Sequence, residues 1–277
     1  MKSGFKFVLI PFAIVAVGLF LIASPGLETE GCACLPPPDD KEIRRLIEIA
    51  EKGDTSESIR ATGMVASAYV ERSDERNAQV WRKKAMEVGD PHTLYWLADR
   101  IGWKAKDEPD TNRKIEMLRE QLSLLKQAFP NRRMFDPIGR SVYASSLRST
   151  QATLTVLLDG EQVWLKRAEA GDPIAAYHMA RFYFYAELDQ DKRSRWEEIA
   201  GKAGDPELAH EMACCWRKSQ KDLLDGDAII ENARSREDLL ASVSDPWVRS
   251  VFMSDLDAAQ FQIRRRLKEL KESEAQR

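Results

Sequence analysis

The chain has 277 residues, 43% of them hydrophobic and 31% charged, with a net charge of −3. That balance suits a folded core beneath strongly solvated helical faces. Residues 1–40 hold two basic and four acidic residues, so the remainder lies within about one charge of neutral and has no basic excess to neutralise a phosphate backbone. Nucleic acid is not an expected partner.

The N-terminus reads as a targeting segment. Lys2 and Lys6 precede an apolar run over residues 7–22, broken only by Pro11 and Gly18, and Glu28, Glu30, Asp39 and Asp40 follow it. Positive charge before and negative charge after directs the rest of the chain across a membrane. Residues 1–24 are therefore expected to be a signal peptide or N-terminal membrane anchor, and residues 25–40 a Pro-rich linker through Leu35, Pro36, Pro37 and Pro38. The expected location is the periplasm, with residues 7–22 as the inner-membrane tether if the segment is retained. Membrane contact is expected through this segment alone. A lipidated Cys32 fits poorly, because of the residues before it only Gly31 suits the modification. Cys32 and Cys34 lie in the linker and Cys214 and Cys215 are adjacent on a predicted helix, so their pairing stays open.

Beyond residue 40 the chain repeats itself. Residues 81–91, 164–173 and 196–206 each run from a Trp to a Gly-Asp-Pro mark. Gly supplies a left-handed helix stop, Asp caps the next helix, and Pro is pre-set for its first turn. With Gly89, Gly171 and Gly204 as position zero, positions +5, +8, +9 and +12 form one apolar helical face. At +8, +9 and +12 this face carries Leu97, Ala98 and Ile101, then Met179, Ala180 and Tyr183, then Met212, Ala213 and Trp216. Weaker copies start at Phe135, leading to Tyr143, Ala144 and Leu147, and at Ser244, leading to Phe252, Met253 and Leu256. A copy at Gly53 needs a one-residue insertion to bring Thr62 and Gly63 into line. Each unit pairs a helix A, after the mark, with a helix B that ends at the next one. In the longest unit helix B carries Ile115, Leu118, Leu122, Leu125 and Phe129 and stops at Pro130. A terminal capping helix over residues 257–276 carries Phe261, Leu267 and Leu270.

A helix-B Trp and Ala, then Gly-Asp-Pro, then Leu or Met, Ala and an aromatic at +12, resembles the Sel1-like repeats, relatives of the tetratricopeptide repeats. The resemblance covers roughly residues 41–260, with Ala or Met where the family often has a Gly. It implies an all-α fold, an α-solenoid of about six helical hairpins over residues 41–277, that binds other proteins. Exported proteins of this kind resemble immunity proteins that neutralise a cognate toxin, notably phospholipase effectors of type VI secretion. A periplasmic scaffold or regulatory adaptor for envelope proteins is the alternative.

Residues suited to chemistry are sparse. His92, His178 and His210 fall at +3, +7 and +6 of different units, so the register does not gather them for a metal. The chain has no Gly-x-Ser-x-Gly elbow, phosphate loop or dinucleotide fingerprint. Cys214 with His210 one turn earlier is a nucleophile–base spacing, but an exported thiol is usually oxidised or inert. No catalytic residue, cofactor or metal is expected.

The face opposite the core set is the expected partner surface. It carries Trp96, Asp99 and Trp103, with Arg100 at its edge, in the second unit. In the fourth it carries His178, Arg181 and Tyr185, with Phe182 at the edge. In the fifth it carries Glu211, Cys214 and Lys218. Trp and Arg in such a row suit a binding hot spot. The competing expectation is that the insert 104–134 covers Trp96 and Trp103 and makes them core.

Overall fold

A computed structural model describes residues 38–53, 55–215 and 219–275. The targeting segment, Cys32 and Cys34 lie outside the described residues, as do Trp216, Lys218 and the side chains of Cys214 and Cys215. The described residues are all-helical: α1 (Asp40–Ala50), α2 (Ser56–Glu71), α3 (Glu75–Glu87), α4 (Pro91–Lys106), α5 (Thr111–Ala128), a 3-10 turn (Phe129–Met134), α6 (Pro137–Asp159), α7 (Glu161–Glu169), α8 (Pro173–Tyr185), α9 (Gln190–Ala203), α10 (Pro206–Cys215), α11 (Gln220–Ser235), α12 (Glu237–Ser242) and α13 (Pro246–Ala275). Among them no helix is long and apolar enough to cross a membrane.

The Gly-Asp-Pro marks set the helix boundaries. Gly53, Gly89, Gly171 and Gly204 all take positive φ, the conformation in which glycine has no steric penalty. Asp90, Asp136, Asp172, Asp205 and Asp245 each accept backbone N–H groups of the following first turn, at 2.6–3.2 Å. The first mark differs. There the cap is Thr55, which accepts from Ser58 N at 3.1 Å. A cap one residue later accounts for the insertion needed to align that unit.

Core packing follows the register. Leu94 and Ala98 on α4, Ala176, Met179, Ala180 and Tyr183 on α8, and Tyr143, Ala144 and Leu147 on α6 are buried, as are Trp81, Trp164 and Trp196 of the B helices. Consecutive helices pack on one another, α4 on α5, α8 on α9 and α10 on α11. A helices also pack on one another, α6 on α8 and α13 on both α6 and α10. One core joins Leu94, Leu125 and Tyr143 to Val243, Val248 and Phe252, so the last helix closes on elements more than a hundred residues earlier in the chain.

The C-terminal region differs from expectation. The helix after the sixth mark and the capping helix are one continuous element of 30 residues, because neither Gly nor Pro interrupts residues 247–275. Phe261 faces solvent, while Ile263 is the fully buried residue of that turn.

Candidate functional site

Side chains of five A helices line a groove of about 460 Å³. Its wall is built from one row per helix: Tyr95, Asp99, Trp103 and Lys106 of α4, Ser141 and Ser145 of α6, and Arg181, Phe184 and Tyr185 of α8. Glu207, His210 and Glu211 of α10 and Phe252 and Asp255 of α13 complete it, with Gln121 of α5 and Arg193 of α9 at its edges. Five of the register-selected residues, Asp99, Trp103, Arg181, Tyr185 and Glu211, therefore meet in one place.

Trp96, Arg100 and His178 do not join them, and Lys218 and the Cys214 side chain lie outside the described residues. Trp96 is 38% exposed, and the guanidinium groups of Arg82 and Arg100 each lie over its ring, 4.8 Å from the centroid. His178 stacks on Trp164, with centroids 4.2 Å apart, and lines a second, smaller cavity of about 210 Å³. Burial first, then Arg148 and Arg167, pushes the His178 imidazole down to about 4. Trp103 is 46% exposed, so the insert leaves both tryptophans at the surface and the covered alternative is corrected.

Arg181 also departs from expectation, since it is only 4% exposed. The inner faces of α8 and α10 converge there, and its guanidinium donates to Glu207 at 2.6 Å and Glu211 at 2.8 Å. Burial opposes its charge, but Glu207 and Glu211 more than offset that and hold the guanidinium protonated. Glu207, itself 4% exposed, also accepts from Tyr177 at 2.8 Å, Ser145 at 2.6 Å and Arg148 at 3.3 Å. Arg148 in turn grips Asp205 through two bonds of 3.0 and 2.6 Å. A bidentate pair and a carboxylate with four donors tie α6, α8 and α10 together. This end of the groove is a buried ion-pair network.

The α4 end is chemically different. The Lys106 ammonium lies 3.9 Å from the Trp103 centroid, 3.8 Å from Phe184 and 4.9 Å from Tyr185. Burial, then nearby Arg193, pushes its pKa down to about 8, while the three ring faces favour the cation. Burial raises the Asp99 carboxyl above its ordinary range, opposed by a hydrogen bond with Trp103. Across α13, Asp255 accepts from Ser141 Oγ at 2.8 Å, and burial raises its carboxyl too. Two groove residues hold buried atoms with no hydrogen-bond partner among the described residues, Gln121 Oε1 and Arg181 Nε. An unsatisfied buried acceptor costs about 1–3 kcal/mol. Gln121 packs over Gly102, where a Cβ would fall 2.5 Å from Nε2.

Lys106, Gln121, Glu207 and Asp255 were not selected from the sequence. Lys106 follows Trp103 by three residues, so extending the register by one turn reaches it. Gln121 lies between Leu118 and Leu125 at i+3 and i+4 spacing, a polar residue on an apolar face, and that interruption was readable. Glu207 and Asp255 carry no such mark, since the side chains that donate to them lie on other helices. Among the described residues no group of His, Cys, Asp and Glu is placed to hold a metal ion. Comparison with protein-family models, curated proteins and solved structures finds no match for this chain.

Proposed function

We propose that the chain is a protein-binding repeat protein, an α-solenoid of Sel1-like hairpins whose inner groove takes a segment of a partner. The observation that carries this reading is the wall itself: five A helices line one groove, and α4 and α8 do so through equivalent positions. Positions +10 and +14 supply Asp99 and Trp103 from α4 and Arg181 and Tyr185 from α8. Exposed Trp103 beside half-buried Tyr185 offers rigid aromatic contact area, while the buried ion-pair network beneath fixes the wall's shape. A preformed surface of this kind binds without large ordering costs.

In its specific form the proposal is an exported immunity protein that occludes a cognate toxin, with a phospholipase effector as the leading candidate; the alternative is a periplasmic scaffold or adaptor for envelope proteins. The basic-then-acidic flanks of the N-terminal apolar run support export in either case. The test is inhibition. Purified protein should abolish the activity of a toxin encoded beside its gene at equimolar concentration, and Trp103→Ala should relieve that inhibition. Full toxin activity in the presence of excess wild-type protein would reject the immunity reading, and co-purification with an envelope complex would favour the scaffold.

A further inference from the structure

We infer that the α4 end of the groove takes an acidic side chain of the partner segment, its carboxylate seated on the Lys106 ammonium beside Trp103. This rests on the groove being the binding face. Of the Lys and Arg side chains that line the groove, Arg181 is held by Glu207 and Glu211, and Arg193 by Glu197 at 2.7 Å. Lys106 has no ion-pair or hydrogen-bond partner among the described residues, although it is only 8% exposed. The rings of Trp103, Phe184 and Tyr185 offset part of the cost of burying its charge. An ammonium taken from water otherwise calls for a paired carboxylate, and Asp99 and Asp107 act on this one only from further off. Gln121 Oε1 and Arg181 Nε are sealed from solvent, but the Lys106 ammonium is not, so a guest in the groove reaches it.

The surroundings select the charge of the guest. A cation entering here meets Lys106 and Arg193, which both lie over the Phe184 ring, at 3.8 and 4.1 Å. A neutral guest leaves the ammonium unpaired. A carboxylate accepts from the ammonium and is drawn further by Arg193, whose charge already works against that of Lys106. Asp99 is the opposing charge on the same helix, but it is engaged by a hydrogen bond with Trp103, and burial raises its carboxyl. With Arg193 committed to Glu197, one cation is left without a carboxylate, which matches the single charge of an Asp or Glu side chain. The same side of α4 continues the pattern. Arg100 is exposed, lies over Trp96, and is in no ion pair among the described residues. Trp96, Arg100, Trp103 and Lys106 thus alternate ring and cation at i+4 and i+3 spacing, a ridge suited to a segment that mixes acidic and apolar residues. Because the wall runs on to α6, α10 and α13, a segment lying along it presents a side chain to Lys106 rather than its terminus.

The test uses full-length protein and short peptides, followed through the Trp103 indole N–H resonance. That signal is assigned by its loss in Trp103→Phe. The peptides are acetyl-Leu-Glu-Leu-amide, its Gln and Lys counterparts, and acetyl-Leu-Gln-Leu with a free terminal carboxylate. The Glu peptide should shift the signal saturably, with an affinity about tenfold or more above that of the others, as one charge-assisted hydrogen bond provides. Lys106→Met, or Lys106→Gln where the first variant loses its helical spectrum, should bind the Glu and Gln peptides alike. Tighter binding of the free-carboxylate or Lys peptide, or a Glu preference that survives in the Lys106 variant, would each overturn the acid site. If the wild type responds equally to the Glu and Gln peptides, the groove stands as a binding face and the acid site fails. A response to no peptide overturns the acid site as well, and the groove is then judged by Trp103→Ala and the protein partner.

Discussion

Helices α4 and α8 follow the same punctuation mark and obey the same register, yet equivalent positions end in different environments. Position +7 is exposed Trp96 on α4 and the stacked imidazole of His178 on α8. Position +10 is half-buried Asp99 on α4 and buried Arg181 on α8. Position +14 is exposed Trp103 on α4 and half-buried Tyr185 on α8. The register fixes which way a side chain points relative to its own hairpin. Its burial is decided by how many other helices face it, and α8 is walled by α6, α7 and α9. The α8 side of the groove is consequently committed to holding the fold, and the α4 side keeps Trp96 and Trp103 exposed.

Position +10 should separate the two helices most. Arg181→Ala leaves Glu207 and Glu211 without their shared guanidinium and should lower stability by about 3–5 kcal/mol, as breaking a buried ion pair does. Asp99→Asn removes a carboxylate whose charge burial already disfavours, and should cost less than about 1 kcal/mol. Chemical denaturation of both variants measures the contrast, and equal losses would break it.

Position +7 gives the next largest effect, one that depends on pH. The folded chain holds the His178 imidazole at about 4 against an ordinary 6.5, so it refuses a proton that the unfolded chain accepts. The stability this contributes is fully present above pH 6.5 and is lost as pH falls towards 4, by up to about 3 kcal/mol. Asp99 and Asp255, with raised carboxyls, run the other way in acid, so the readout is the difference between wild type and His178→Phe. That difference should shrink steadily from pH 6.5 to 4; a difference independent of pH would contradict the buried neutral imidazole.

Position zero is where the two helices should agree in kind. Gly171 has φ +91 and open space where a Cβ would be, so Gly171→Val should cost about 1 kcal/mol or more from backbone strain alone. Gly89→Val should cost at least as much, because its Cβ would also press on Asn131 Nδ2 at 3.2 Å. Thermal unfolding of the pair measures this, and an unchanged melting temperature in either would contradict the left-handed helix stop.

These contrasts mark how far the sequence could be read. Caps, stops and core faces depend on residues within one turn or one hairpin, and Gly89, Asp90, Leu94 and Ala98 announce them locally. The one-residue offset at the first mark was visible as an alignment gap, though its cause, a Thr55 cap, was not. Groove chemistry was half legible. Trp103 and Tyr185 follow from the register, but the burial of Arg181 depends on Glu207, 26 residues away, and on Glu211. The return of α13 onto α6 depends on Phe252 meeting the core around Tyr143, a pairing that no local periodicity encodes.

Position +14 carries the smallest effect on folding and the most direct test of the account. Trp103 is nearly half exposed, so Trp103→Ala should melt within a few degrees of wild type, a loss of about 1 kcal/mol or less. The same variant should bind the protein partner about 30-fold more weakly or worse, the loss of a 2 kcal/mol anchor. Unfolding and partner affinity measured side by side on this one variant test the claim that the α4 side of the groove is the binding face. Normal melting with lost binding is the predicted result; normal melting with wild-type affinity would contradict it.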